Sequence, residues 1–214
     1  MALIIGFGSQ KGGPGKSTLC RGVAVGYALN DWSVKIADLD LEQSTVVHWL
    51  RDRLKNDISP TVSAEVYGSV TQALKRAEAF DAVLFDGAPH ASRQTVEVAQ
   101  ACDLFVIPTG LALDDLRPAV VLADTLTSKH GIPVDKICLA LNHVGDSTLE
   151  IDDALAYIAH TPFHVLDGYL PHKTGIRRTQ DRGLSIIETP YPSVRQAAEK
   201  LVQAVIDRAA QLTN

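Results

Sequence analysis

The chain has 214 residues, of which 46% are hydrophobic and 21% are charged, a balance typical of a globular protein with a substantial core. This composition excludes a disordered, collagen-like or coiled-coil chain, and the length predicts a single domain over residues 1–214. The formal net charge is −5, from 20 basic and 25 acidic residues, so a nucleic-acid partner would have to bind a local basic patch.

The predicted strands are short apolar runs that end at Gly, Asp, Pro or Asn. In chain order they span residues 3–7, 34–37, 82–85, 104–107 and 137–141, with a weaker candidate at 163–166. Stretches with helical spacing alternate with them, at residues 16–29, 44–54, 70–79, 92–99, 114–128, 149–159 and 193–212. The alternation predicts an α/β fold with a mostly parallel twisted sheet and helices on both faces. Ligands of such sheets bind beyond the carboxyl ends of the strands.

The first predicted strand is followed by a glycine-rich loop, QKGGPGKST at residues 10–18, which leads directly into a helix. This order is typical of a P-loop NTPase, in which backbone N–H groups and a helix N-terminus bind phosphate. A lysine then contacts the β and γ phosphates and a hydroxyl binds Mg²⁺. Within this loop the predicted nucleotide-binding residues are Gly12, Gly13, Pro14, Gly15, Lys16, Ser17 and Thr18. A glycine turn that only packs tightly is the disfavoured alternative.

Acidic residues end the second and third predicted strands. Asp38 and Asp40 lie two residues apart, so in extended chain both carboxylates would share one face. Asp38 could instead only cap the helix that starts near Ser44. Asp86 ends the run AVLFD as a Walker B carboxylate does, and we expect it to support Mg²⁺. His90 follows in a loop and is treated as a bystander, because phosphoryl transfer needs positioning more than proton abstraction.

The segment KGGPGKST resembles the deviant Walker A motif, K-G-G-x-G-K-S/T, of the ParA and MinD family of ATPases, and ADLDLEQ resembles the family's D-x-D-P-Q segment with Leu41 in place of proline. The resemblance implies ATP and Mg²⁺ as cofactors and slow hydrolysis without a partner. It implies that Lys11 reaches the partner's phosphates in an ATP-bound sandwich dimer and that Asp40 positions the attacking water. The implied catalytic residues are Lys11, Lys16 and Asp40, and the implied metal-binding residues are Ser17, Asp40 and Asp86. Asn142 either contacts adenine or only turns the chain.

The chain is most similar to the small ParA-type partition ATPases, which lack an N-terminal DNA-reading extension. This resemblance implies a nucleoid-associated ATP-bound dimer that binds DNA non-specifically. A ParB-like protein or another adaptor would stimulate hydrolysis and release the dimer, and so position a plasmid, chromosome or other cargo. The phosphate contacts are predicted in a basic segment that contains Lys173, Arg177, Arg178 and Arg182. The alternative is a solvated helix face balanced by Asp167 and Asp181.

A different class of function is a metabolic or cofactor-assembly ATPase of the same superfamily. Its cluster-bearing and carrier members would need suitably placed cysteines, whereas Cys20, Cys102 and Cys138 lie far apart without a C-x-x-C pair. A non-hydrolysing adaptor is disfavoured because Lys16, Asp40 and Asp86 occur together. We expect a cytoplasmic protein without membrane contact, since no signal peptide, long apolar run or basic amphipathic tail is recognised.

Overall fold

The computed structural model describes residues 1–13, 15–88 and 92–213. Within them, seven parallel strands form one sheet in the order β3-β2-β4-β1-β5-β6-β7. The strands are β1 (Leu3–Phe7), β2 (Val34–Asp38), β3 (Ser63–Val66), β4 (Ala82–Asp86), β5 (Leu104–Thr109), β6 (Ile137–Val144) and β7 (His164–Pro171).

Helices cover both faces of this sheet, as the alternating pattern predicts. They are α1 (Lys16–Ala28), α2 (Thr45–Lys55), α3 (Val70–Leu74), α4 (Arg93–Ala101), α5 (Leu113–His130), α6 (Thr148–Ala159), α7 (Thr174–Gln180) and α8 (Pro192–Thr213). Helices α1, α2 and α8 pack on one face, and α3 to α6 pack on the other. None of the described helices has the length and hydrophobicity needed to span a bilayer.

The central strands are apolar along their whole length because both of their faces are covered. All residues of β4 and β5 are buried. Successive side chains alternate between two cores: Leu84 and Val106 pack with α1 and α8, whereas Val83 and Phe105 pack with α4 and α5. The predicted mostly parallel sheet with helices on both faces is therefore confirmed.

Strands β6 and β7 extend three and five residues beyond their predicted ends, and three other elements differ from the sequence prediction. Strand β3 was not predicted, because SAEV at the sheet edge is only half-buried and lacks a continuous apolar run. The predicted helix 70–79 is the short helix α3 followed by a 3-10 helix at Ala77–Ala79. Helix α7 was also missed, because its seven residues carry too few apolar positions to show a helical period.

The strand order brings the candidate functional loops to one edge of the sheet. Strand β1 lies between β4 and β5, and Phe7 at its end is in register with Asp86 and Val106. Asp38 at the end of β2 is in turn in register with Asp86. The glycine loop therefore lies beside the acidic strand ends, at the edge where parallel sheets bind ligands.

Candidate active site

The glycine loop is exposed to solvent on one side and contacts β6 on the other. Gly13 and Gly15 adopt positive φ values of 88° and 95°, which favour glycine. An ideal Cβ on Gly15 would lie 2.4 Å from Nδ2 of Asn142, so a side chain there would collide with β6. Gly12 and Gly13 are exposed, and α1 begins at Lys16 without a side-chain cap. The first N–H groups of α1 are thus available for an anion. The predicted contact at Pro14 lies outside the described residues.

Lys16 brings a nearly buried ammonium group into this loop, since the residue is only 7% exposed. Its Nζ donates to Ser9 Oγ at 3.1 Å, and Ser9 Oγ donates to the Lys11 carbonyl at 2.7 Å. Burial lowers the pKa of Lys16, and the negative charges of Asp86 and Asp40 oppose that shift. A bound polyanion would restore the interactions that this cation loses on burial.

Asp86 and Ser17 lie together beside Lys16. Asp86 is 2% exposed, and its carboxylate accepts a hydrogen bond from the Ser17 hydroxyl. Burial raises the pKa of Asp86 to about 7, against the opposing effect of that hydrogen bond. Its buried Oδ1 has no hydrogen-bond partner among the described residues. A carboxylate oxygen left without a partner next to a hydroxyl suits Mg²⁺, which binds one or two protein oxygens and keeps its other ligands from water and phosphate.

Asp38 and Asp40 hold different parts of the loop after β2. The buried Asp38 carboxylate accepts from the backbone N–H groups of Asp40 at 3.0 Å and Val46 at 3.1 Å. It therefore satisfies a free N–H in the first turn of α2, as the capping alternative proposed. Burial raises the pKa of Asp38, and these two hydrogen bonds oppose the shift. Strand β2 ends at Asp38, so the argument that strand alternation places Asp40 on the same face does not apply.

Asp40 is half-exposed in the turn that follows β2. Its Oδ1 accepts from the backbone N–H groups of Glu42 at 3.2 Å and Gln43 at 3.0 Å. Its charge acts on Lys16 across the glycine loop, so it belongs to the same electrostatic cluster as Asp86. The carboxylate is thus fixed by its own turn, with one oxygen engaged by backbone donors.

Lys11 points away from the buried cluster. Its side chain is 47% exposed, and its Nζ forms an ion pair with Asp115 Oδ1 at 2.8 Å. Asp115 lies in the first turn of α5, so the pair joins the glycine loop to the segment after β5. Asn142 lies on the other side of the loop, buried within β6 with its amide against Gly15. The structure therefore does not place Asn142 in a turn.

Sequence reasoning missed several residues that contact the site. Ser9 holds Lys16, Asp115 holds Lys11, and Gln180 donates to the Thr18 hydroxyl. Asp115 lies in the segment that follows β5, at the edge where parallel sheets bind ligands. Gln180 is 162 residues away from Thr18, and no local pattern signals that contact.

The predicted basic segment lies on and around α7. Lys173 pairs with Asp146 at 2.7 Å, whereas Arg177 and Arg178 are exposed and form no ion pair among the described residues. Arg182 is also exposed, just beyond the helix. Asp167, which was considered as a balancing charge, pairs instead with Lys200 of α8 at 2.9 Å. The arginines of α7 thus remain available to a negatively charged partner.

The three cysteines do not form a redox or metal site. All three are buried and free, and burial raises the pKa of each thiol. Among the described residues there is no group of three or more His, Cys, Asp or Glu side chains that could hold a metal ion.

A family model described as ATPase MipZ matches residues 3–136 of the chain. A search of curated proteins finds no significant match. Solved structures with the same fold include MinD of Pyrococcus horikoshii complexed with Mg-ADP, which is 18% identical with a TM-score of 0.76 over 100% of each chain.

Two further structures are similar over nearly their full length. A McdA variant from Cyanothece in complex with ATP is 14% identical, with a TM-score of 0.73 over 95% of this chain and 96% of that chain. A protein from Borrelia burgdorferi, described as a plasmid partition protein and bound to AMPPNP, is 14% identical, with a TM-score of 0.72 over 97% of this chain and 100% of that chain. At these identities the similarity shows the fold.

Proposed function

The chain belongs to the ATPase MipZ family, whose members are ATPases of the ParA/MinD type, and from this we propose that it uses ATP and Mg²⁺ to position or partition a cargo. The observation that carries the proposal is the cluster of Lys16, Ser17 and Asp86 around an uncapped helix N-terminus. Similar structures hold Mg-ADP, ATP or AMPPNP. This support comes from the nucleotides of relatives and the chemistry of the residues present.

In this proposal the glycine loop binds the phosphates, with Lys16 against the β and γ groups and Thr18 near the α group. Ser17 and Asp86 hold Mg²⁺, with Asp40 next to them. The ion, when bound, neutralises charge on the γ-phosphoryl group. We propose that Asp40 orients the attacking water and that Asn142 contacts the adenine. The nearly buried Lys16 supplies a cation that has little water left to lose when the nucleotide enters.

In this proposal Lys11 makes dimerisation depend on bound ATP. We infer that two ATP-bound copies face each other and that each Lys11 reaches the phosphates of the other copy, where a second cation stabilises the developing charge. In the free chain Lys11 is held by Asp115 in a pair whose side chains are 47% and 40% exposed. Such pairs are worth about 0–1 kcal/mol, so a bound triphosphate competes with Asp115 at little cost.

The surface of α7 supports a role on DNA. The chain carries a net charge of −5, so a DNA backbone needs a local cationic site, and Arg177 and Arg178 stand side by side on an exposed helix. We propose that the ATP-bound dimer uses them, with Lys173, to bind DNA non-specifically on the nucleoid in the cytoplasm. A ParB-like or other adaptor protein would stimulate hydrolysis and release the dimer.

Sedimentation and DNA retention test this function directly. With ATP or a slowly hydrolysed analogue and Mg²⁺, the wild-type chain should dimerise and retain DNA at low salt, and with ADP it should do neither. Lys11→Ala should bind nucleotide and stay monomeric. The double variant Arg177→Glu with Arg178→Glu should dimerise and hydrolyse ATP without retaining DNA.

The matched control reverses two exposed charges elsewhere, with Lys75→Glu at the end of α3 and Lys129→Glu in the last turn of α5. This control changes the net charge by the same amount and should retain DNA. Equal sedimentation of the wild type with ADP and with the analogue would refute the dependence of dimerisation on ATP. ATP hydrolysis without any DNA retention would favour the metabolic or cofactor-assembly alternative.

A further inference from the structure

Gln180, the last residue of α7, contacts α1 with both ends of its side-chain amide. Its Nε2 donates to Thr18 Oγ1 at 2.9 Å, and its Oε1 accepts from Nη1 of Arg21 at 2.6 Å. A guanidinium only donates hydrogen bonds, so Arg21 fixes which end of the amide faces which partner. Thr18 Oγ1 is therefore the acceptor in its contact, and its hydroxyl proton is left for another acceptor.

Loss of the Gln180 amide would remove a hydrogen-bond acceptor from the buried Arg21 guanidinium. The residue is 8% exposed, and its guanidinium carbon lies 5.5 Å from the centre of the Trp49 ring. Burial lowers the pKa of Arg21, and the negative charges of Asp86 and Asp38 oppose that shift. A buried cation requires hydrogen-bond acceptors, and Gln180 supplies one from α7. The end of α7 is thus attached to the charge cluster of the candidate active site.

The chain just after Gln180 is held against α2. Trp49 Nε1 donates to the Leu184 carbonyl at 3.1 Å, and Arg53 Nη1 donates to the Gly183 carbonyl at 3.2 Å. An ideal Cβ on Gly183 would lie 2.4 Å from the backbone nitrogen of Arg53, so the two segments are in close contact. Helix α7 therefore has a fixed C-terminal end, and the Gln180 side chain joins that end to α1.

We propose that Gln180 is a positioning residue that couples an occupied phosphate loop to the orientation of α7. When the Thr18 hydroxyl donates to a bound phosphate, its oxygen becomes a stronger acceptor for Gln180 Nε2. The shortened contact holds α7 against α1 and fixes Arg177, three residues before Gln180, together with Arg178. The link between nucleotide and α7 rests on the phosphate contact proposed for Thr18, and the consequence for DNA rests in addition on the proposed DNA function.

Two variants separate the contacts of Gln180. Gln180→Ala removes both hydrogen bonds. Gln180→Glu keeps an acceptor for Arg21, but a carboxylate can only accept from Thr18 and so draws the hydroxyl proton away from the phosphate. The matched control is Gln203→Ala, which removes an exposed amide that donates to Asp207 at 2.7 Å on α8.

The principal readout is hydrogen exchange of the amides at residues 174–182, with and without a slowly hydrolysed ATP analogue and Mg²⁺. In the wild type and in Gln203→Ala, the analogue should raise protection by up to about twofold, because a bound phosphate strengthens this single hydrogen bond by only a fraction of its value. In Gln180→Ala, saturation with the same analogue should leave protection unchanged. Gln180→Glu should fold normally, as its thermal midpoint shows, and bind the analogue about tenfold more weakly.

Equal gains in protection in the wild type and Gln180→Ala would overturn the proposal, as would the absence of any gain in the wild type. If Gln180→Ala fails to fold, Gln180→Glu still decides the question, since wild-type affinity and protection in that variant would contradict the role of the Thr18 proton. DNA retention is measured in parallel. A wild-type chain that never retains DNA refutes the proposed DNA function, and the exchange comparison still tests Gln180.

Discussion

Asp86→Asn tests whether this carboxylate occupies an unfavourable site that a metal relieves. Asp86 is 2% exposed, and burial raises its pKa from an ordinary value of 3.8 to about 7. Because the pKa is higher in the folded than in the unfolded state, the stability that this group contributes is complete below about pH 4 and is lost as the pH rises to about 7. At about 1.4 kcal/mol for each pH unit, the loss is at most about 4 kcal/mol.

The neutral amide of Asn resembles the protonated carboxyl of Asp86. Without metal or nucleotide, both proteins should therefore have similar free energies of unfolding near pH 4, and the variant should be more stable above pH 7, by at most about 4 kcal/mol. Urea unfolding between pH 4 and pH 8 measures this difference, in which the other titrating groups largely cancel. Mg²⁺ with an ATP analogue should reverse the order at pH 8, because it stabilises the wild type more strongly.

An amide substitution on the surface controls for this comparison. Asp124→Asn on the exposed face of α5 should follow the wild-type pH dependence throughout. If Asp86→Asn also follows the wild type, or is less stable than the wild type at pH 8 without metal, Asp86 is not held at a cost in the free protein. The electrostatic basis for a metal site at the end of β4 would then be lost.

Three further substitutions test separate parts of the structure. Asp115→Asn should release Lys11 from its 2.8 Å ion pair and strengthen ATP-dependent dimerisation by at most about fivefold per subunit, as measured by sedimentation. The effect should be smaller at high salt, where the ion pair is screened. Unchanged dimerisation at every salt concentration would argue against this role of the pair. Lys16→Ala should weaken binding of a fluorescent ATP analogue by about 100-fold, and a loss below about threefold would contradict its phosphate contact. Gly183→Ala should lower the free energy of unfolding by about 2 kcal/mol or more, because φ is 77° and the new Cβ would lie 2.4 Å from a backbone nitrogen of α2. Gly131→Ala, at φ 68° in open space, should lose less, and equal urea midpoints would contradict the steric argument.

The elements that could be predicted from the sequence are those whose burial is encoded locally. Strand β1 has its predicted bounds, and β4 and β5 are apolar runs buried on both faces. Strand β3 lies at the sheet edge with no such run, and α7 depends on tertiary contacts, including Thr179 with Thr189 at 2.9 Å and Gln180 with Thr18 at 2.9 Å. No single-segment pattern reports contacts of that kind.

The candidate site likewise contains residues that the sequence could predict and residues that it could not. The glycines, Lys16 and Ser17 are contiguous, so their chemistry is visible as a motif. Their partners come from distant segments: Asp115 reaches the loop because β5 pairs with β1, and Gln180 reaches α1 because α7, which follows the edge strand β7, packs against that helix. Strand order and helix packing are properties of the assembled fold, so these partners could not be identified from the sequence. The sequence also left open whether Asp38 faces the site or caps a helix. Its hydrogen bond with the Val46 backbone N–H, which only the folded chain forms, supports the capping role.

In the free protein, the charged groups of the candidate site are buried at a cost in free energy that a ligand would reduce. Burial lowers the pKa of Lys16 and raises that of Asp86, so each group is shifted towards its neutral form although the two lie close enough to attract. Their mutual attraction therefore does not repay the desolvation of either. A triphosphate with Mg²⁺ brings an anion for Lys16 and a cation for Asp86 at once. The same burial that destabilises the free site thus makes binding of the metal–nucleotide pair more favourable than binding of either component alone.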